Sequence, residues 1–381
     1  MTRLGDLIKP AKVIRCGTNQ YPVLSMTMHD GIMLQSDRFK KSLASVNQSD
    51  YKVVNYGQLA VGFPIDEGVL YIQRVVPSGI MSPAYSVWDV NYDIVDPLYL
   101  ELSLHSPQAM QYYKENLRGT TARRRSIPTD TLLALPLRLP SLEEQRKIAA
   151  VLDKVSGLIA KRRQQLDKLD EIVKAKFVEM FGDPLDEGCR YQKVPLGVVA
   201  DVGSSKRIFE KEYVSSGVPF YRTKEIVELS KGHKITTELF ITKERFTEIC
   251  DEYGAPQKGD LLISAVGTIG VIWIVDGKND FYFKDGNLLR VSVSNNFNPV
   301  YLKMLLETLI AAHKQKMSVG TAYAALTISM LKEMMVYLVP IDEQNQFAAF
   351  VKQTEKIKAN INRSLEKLET LKKALMQEYF G

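Results

Sequence analysis

An internal repeat constrains this chain more than any other feature. Residues 142–182 recur as residues 341–381 when 199 is added to each number, with no gap. Glu144-Gln145 falls on Glu343-Gln344, Ala149-Ala150 on Ala348-Ala349, Lys168-Leu169 on Lys367-Leu368 and Phe181-Gly182 on Phe380-Gly381. Chance self-similarity rarely holds register over such a length. The period is too long for a solenoid unit and implies a duplicated domain plus helix.

Both copies carry a helical pattern. In the first, Ile148, Leu152, Val155, Ile159, Leu166, Leu169, Val173 and Met180 fall at alternating steps of four and three, interrupted only at Arg162 and Lys176. That is a heptad seam, which keeps one apolar edge on a partner helix. A second stripe, Val151, Leu158 and Ile172, makes the apolar face wider than a two-helix seam needs. In the second copy Phe350, Ile357, Ile361, Leu368, Leu371 and Leu375 keep the rhythm, with Thr354 and Ser364 as polar gaps. Each helix follows a proline (Pro140, Pro340) and stops at a glycine, and Gly157 alone interrupts. At about 1.5 Å per residue each spans roughly 60 Å. That length suits an antiparallel pair forming a rod better than two helices of one globular core.

The helices divide the chain into a domain over 1–139, a helix over 140–182, a domain over 183–339 and a helix over 340–381. Both domains read as α+β. They share landmarks but little sequence: Leu4-Gly5 and Leu196-Gly197 open them, and Gly57-Gln58-Leu59-Ala60-Val61 parallels Gly259-Asp260-Leu261-Leu262-Ile263 as a turn entering a strand. A polar loop stands near each end, Gly119-Thr120-Thr121-Ala122 and Gly320-Thr321-Ala322-Tyr323. Strand-like runs lie at 52–54, 69–72, 271–275 and 288–293, and helical ones at 97–104, 107–117 and 300–316. Like helices with unlike domains suggest two readers of two different ligands on a common mount.

Recognisable catalytic patterns are missing. Val266-Gly267-Thr268-Ile269-Gly270 lacks the lysine of a phosphate loop and reads as a turn between strands. Asp183-Pro184-Leu185 lacks the second proline of an adenine-methylase motif and reads as a helix stop. The four histidines stand at no metal-ligand spacing from a cysteine or acid. Three scattered cysteines suit a reducing cytoplasm, and no apolar run is long enough for a membrane span. The start of the sequence lacks a signal peptide's apolar region.

Basic and hydroxylic residues in predicted loops remain. The net charge of +6 permits a nucleic-acid partner without requiring one. Arg123-Arg124-Arg125 follows the first polar loop, Ser204-Ser205-Lys206-Arg207 lies between strand candidates, and Arg222-Thr223-Lys224 follows Phe220-Tyr221. Arg38, Lys40 and Lys41 form another cluster, and Lys243 with Arg245 a further one. Such groups can neutralise phosphates or place an Arg fork on a guanine edge. Thr321 and Tyr323 of the second polar loop join this candidate set. Val151, Leu158, Ile172, Phe350, Ile357 and Leu371 are the candidates for a protein partner.

The sequence resembles the specificity subunits of type I restriction–modification systems over essentially its whole length. Leu139-Pro140-Ser141-Leu142-Glu143-Glu144-Gln145 and Pro340-Ile341-Asp342-Glu343-Gln344 resemble the family's Pro-x-x-Glu-Gln helix starts, and Phe177-Val178-Glu179-Met180-Phe181-Gly182 a helix end. The first domain departs from the pattern at Gln58, where the family usually has Asp. The resemblance implies two α+β target-recognition domains separated by two long antiparallel coiled-coil helices in a pseudo-two-fold repeat. It implies a non-catalytic chain that binds double-stranded DNA, two methyltransferase subunits and motor–nuclease subunits. S-adenosylmethionine would then sit on the methyltransferase subunit, and ATP and Mg on the motor–nuclease, with no cofactor on this chain. Each domain would read one half of an asymmetric bipartite site, with the helices setting the spacer. Residue 381 should lie near Leu4, as Gly182 near the start of the second domain. The competing expectation is a coiled-coil scaffold without DNA contact.

Overall fold

The structure is a computed structural model that describes residues 2–28, 31–38, 47–118, 125–186, 188, 190–317 and 325–381. It divides into two compact units: unit 1 is Met1–Gln164 with Asn362–Gly381, and unit 2 is Gln165–Ile361. This partition cuts both long helices, because each helix half packs on the domain beside it. The helices run Leu142–Phe181 and Ile341–Phe380, 40 residues each. The Ser141 hydroxyl accepts from the Glu144 amide at 3.3 Å and so satisfies one orphan donor of the first. Gly182, at φ +86°, ends it by turning its own amide back to Val178 O at 2.8 Å. Among the described residues no helix is long and apolar enough to cross a membrane.

Each unit is built on the same frame. In unit 1 a four-stranded antiparallel sheet has the order Ile8–Pro10, Ser86–Val90, Leu59–Val61, Leu70–Ile72. In unit 2 the order is Asp201–Gly203, Leu288–Ser292, Leu261–Ser264, Ile272–Ile274, again antiparallel throughout. A strand before each long helix pairs with the opening strand: Pro136–Leu137 with Thr2–Arg3, and Met335–Tyr337 with Lys193–Pro195. Leu4 and Leu196 follow those opening strands, both fully buried, and donate to Leu135 O and Met334 O at 2.9 Å each. The glycine after each leucine is required by space. A Cβ at Gly5 would meet the Leu133 Cβ at 3.2 Å, and one at Gly197 the Lys332 Cβ at 2.9 Å.

The paired turns are also the same. Gly57 (φ +86°) donates to Gln73 O at 2.7 Å, and Gly259 (φ +96°) to Val275 O at 2.9 Å. The Gln58 side chain accepts from the Asn55 amide at 2.8 Å, as Asp260 accepts from the Gln257 amide at 2.9 Å. The departure at Gln58 therefore keeps the loop-closing acceptor and loses only the charge.

The cores fill around these frames. In unit 1, Leu59, Tyr99, Leu100 and Leu152 share one cluster with Leu4, Met376 and Phe380. In unit 2, Phe177, Phe181, Tyr301 and Phe347 form an aromatic knot in the same cluster as Leu196, with Phe177 and Phe347 centroids 5.3 Å apart. Each buried side chain of this size contributes about 1.5–3 kcal/mol of apolar burial. The start of the first long helix packs with the end of the second in unit 1, where Arg163 pairs with Glu369 at 2.8 Å. In unit 2 the end of the first packs with the start of the second, and Lys358 pairs with Asp170. Within either unit the two segments are thus antiparallel. Residues 380 and 181 each join the core that holds their unit's opening leucine, as expected of the chain closing on itself.

The seam reading needs correction in the second helix. Thr354, read as a gap, is buried and bonds Phe350 O, whereas Ile357 and Leu371, read into the seam, are about half exposed. Thr354 stands at the place of the buried Val155 of the first helix, and a threonine satisfied by its own backbone is cheap to bury.

Candidate nucleic-acid interface

The units differ outside the frame. Unit 1 adds two ribbons, Leu24–Thr27 with Gly31–Leu34 and Lys52–Asn55 with Ser78–Met81. Unit 2 adds a small sheet ordered Phe240–Ile241, Val218–Tyr221, Tyr282–Phe283, whose last pair is parallel. Two helices flank it, Thr223–Ser230 and Lys243–Tyr253.

Three of the basic clusters read from the sequence come together around that small sheet. The Ser204 hydroxyl donates to Leu288 O at 3.0 Å and Ser205 to Phe283 O at 2.6 Å, so both hydroxyls tie their segment to neighbouring strands. They are fastenings, not free donors. The segment then delivers Lys206 and Arg207 outward. Lys206 Nζ lies 2.8 Å from the Tyr253 hydroxyl and 4.7 Å from its ring centroid. That hydrogen bond holds the ammonium pKa above its ordinary value. Arg207, largely exposed, pairs with Asp285 at 3.1 Å. An exposed Phe209 follows after the buried Ile208. Cation and open aromatic faces side by side are the combination that meets phosphate and unstacked base.

The other two clusters split. Arg222 spends its fork on the buried Glu225 at 3.1 Å, and Arg245 on Glu212 and Glu248 at 2.9 and 2.8 Å. Both guanidiniums thus brace the starts of their helices. Lys224 and Lys243, each two positions away, are exposed and make no ion pair among the described residues. In unit 1, Arg125 bonds Asp66 at 2.6 Å and also Glu67, so it too is engaged internally. Arg38 ends the short helix Gln35–Arg38. Lys40, Lys41, Arg123, Arg124, Thr321 and Tyr323, with both polar loops, lie outside the described residues. His233 pairs with Glu228 at 2.8 Å, and hydrogen bonds from Lys231 and His233 hold that carboxyl down at about 2.

Tyr253 and Asp285 were not singled out from the sequence, since only folding brings them to Lys206 and Arg207. Among the described residues no group of His, Cys, Asp and Glu could hold a metal ion.

The partner candidates on the helices also separate. Val151, Leu158, Ile172, Ile357 and Leu371 are 40–50% exposed, an unusual density of bare aliphatic side chains on two helices. Phe350 is corrected: it packs against the core of unit 2. Its counterpart Val151 is smaller and stays outside.

Residues 190–370 match the model of the type I restriction modification DNA specificity domain. The chain is 22% identical over 400 residues to the type I restriction enzyme MjaVIII specificity subunit of Methanocaldococcus jannaschii, covering 99% of this chain and 90% of the relative. It is 29% identical over 239 residues to a type I restriction enzyme specificity subunit assigned in Haemophilus influenzae, S.HindORF215P. That match spans 61% of this chain and 59% of the relative. Among solved structures, a chain from work on complex assembly and conformational transition of the type I R-M system superposes with a TM-score of 0.58 at 18% identity, over 100% of this chain and 96% of the other. The S subunit of a type I restriction–modification system from M. genitalium gives 0.54 at 13% identity, over 100% and 95%. The chain is thus similar to type I restriction–modification specificity subunits over nearly its whole length.

Proposed function

We propose that this chain is the DNA-reading, non-catalytic subunit of a type I restriction–modification complex, in which each recognition domain reads one half of an asymmetric bipartite site. The observation that carries this is the duplication itself: one frame twice, with unlike additions on each copy. In unit 2 the reading surface is the small sheet with Lys206, Arg207, Phe209, Lys224, Lys243 and Tyr253. Phosphate contacts would supply most of the affinity and a steep salt dependence, and base-edge contacts the choice of sequence. The exposed aliphatic side chains Val151, Leu158, Ile172, Ile357 and Leu371 would dock two methyltransferase subunits, which carry S-adenosylmethionine. Motor–nuclease subunits with ATP and Mg complete a restricting complex.

Methylome sequencing of cells carrying the chain with its methyltransferase partner tests this. The expected result is methylated adenine in both halves of a split, asymmetric motif. Exchanging residues 1–141 for those of another family member should change one half only. Absence of any motif with an active partner would favour a scaffold without DNA contact. Replacing Val151, Leu158 and Ile172 with Asp should abolish co-purification with the methyltransferase while leaving the fold intact.

A further inference from the structure

Two buried side chains stand at the same place in the two units, and neither belongs to the reading surface or the docking stripe. Gln145 and Gln344 lie one turn into the long helices, and both are fully buried. The Gln145 amide oxygen accepts from the Asp96 amide at 2.9 Å, and its nitrogen donates to Ile94 O at 3.1 Å and Pro140 O at 2.9 Å. The Gln344 oxygen accepts from the Asn298 amide at 2.7 Å, and its nitrogen donates to Asn296 O at 3.0 Å and Val339 O at 2.8 Å. In each case both N–H groups are used, and every partner is backbone.

The partners belong to two other segments. Pro140 and Val339 stand two positions before the first residues of the helices. Asp96 and Asn298 cap the domain helices that follow the sheet, accepting from the Leu98 and Tyr99 amides at 3.0 Å and from the Val300 amide at 2.9 Å. One amide therefore joins three things: the domain's helix cap, the segment leading out of the domain, and the long helix. Because it reads only backbone, the joint is indifferent to the side chains of the domain it holds. An amide alone fits, since the site asks for one acceptor and two donors in a plane. Because Gln145 and Gln344 are fully buried, an unmade bond at any of these groups carries a desolvation cost.

We propose that Gln145 and Gln344 are positioning residues that fix each recognition domain at one angle to its long helix, and so hold the spacing between the two half-sites to a single value. This rests on the reading of function given above. The large cores around Leu152 and Phe347 remain when the amide is lost, so the domain stays attached while its angle loosens. Exposed ion pairs nearby, such as Arg138 with Glu144 at 3.9 Å, are too weakly held to replace it.

The test uses the chain in complex with its methyltransferase partner and a DNA library that joins the two half-sites through spacers of varied length. Gln344→Glu keeps the shape and removes both donors, facing a carboxylate oxygen to two carbonyls. Gln344→Met removes all three bonds without adding charge and decides the question if the Glu variant does not fold. Relative to the native spacer, methylation of spacers one base pair longer or shorter should rise about tenfold, the scale of one lost buried hydrogen bond. Ile263→Val, a mild core change matched for melting temperature, should keep the wild-type spacer profile. A folded Met variant with that same unchanged profile would overturn the proposal. So would relaxed spacing in Ile263→Val, because any loss of stability would then suffice. A wild-type chain with no spacer preference would instead overturn the functional reading, and the inference with it.

Discussion

Unit 1 and unit 2 agree wherever backbone meets buried backbone, and part company wherever a side chain reaches solvent. Leu4 and Leu196, Gly57 and Gly259, and Gln145 and Gln344 repeat each other's hydrogen bonds atom for atom. By contrast, among the described residues the two antiparallel ribbons of unit 1 differ from the small mixed sheet of unit 2. The lesson is that a duplicated frame is kept by its hydrogen-bond closures, which tolerate almost any surface. Even the interior diverges where only volume is asked for, as in Met376 at the place taken by Phe177.

That last pair gives the strongest way to break the comparison. Phe177 stands against the rings of Phe181, Tyr301 and Phe347, whereas Met376 shares a cluster with Leu4, Tyr99, Leu152 and Phe380. Phe177→Ala should cost about 3–5 kcal/mol and Met376→Ala about 2–3 kcal/mol in denaturant unfolding. Equal losses would show that the aromatic knot adds nothing to packing.

The glycines after the opening leucines come next. A Cβ at Gly197 meets Lys332 at 2.9 Å, tighter than the 3.2 Å at Gly5. Gly197→Ala should therefore destabilise by about 1–3 kcal/mol, and Gly5→Ala by less, in thermal melts.

The Gln58–Asp260 pair sharpens the comparison through pH. Burial raises the Asp260 carboxyl above its ordinary range. A carboxyl that holds its proton more tightly in the folded state favours folding below its unfolded pKa. That advantage is lost as pH rises through the higher folded value. Asp260→Asn keeps the acceptor for the Gln257 amide. It should abolish this fall in stability as pH rises above the ordinary carboxylate range, whereas Gln58→Glu should create one in unit 1. Melting temperature followed against pH distinguishes the two.

Smaller effects lie in the long helices. Nothing stands within 4 Å of a Cβ built on Gly157, and its counterpart in the second helix is Lys356. Gly157→Ala should stabilise by about 1 kcal/mol in the same melts. Arg163→Ala, which breaks an exposed pair with Glu369, should change stability by no more than about 1 kcal/mol.

What the sequence showed was what repeats or what is local. The domain helix Pro97–Leu104 and the strands at 52–55, 70–72, 272–274 and 288–292 stand where composition and punctuation put them. Its silence falls on pairings across long separations. Arg125 meets Asp66 59 residues away, Arg207 meets Asp285 across 78, and Lys206 meets Tyr253 across 47. A basic run announces charge without saying whether an acid waits for it, so Arg222 and Arg245 looked no different from Lys224 and Lys243. Phe350 misled for a related reason: its period is that of the bare stripe, but its bulk finds the core.

The partition of the chain bears on the order in which it is made. Unit 2 is one continuous segment, whereas unit 1 borrows Asn362–Gly381 for its core. During synthesis the domain begun first is thus finished second. Until Met376 and Phe380 emerge from the ribosome, its apolar floor beneath Leu4, Tyr99 and Leu152 stays uncovered, while its successor is already closed.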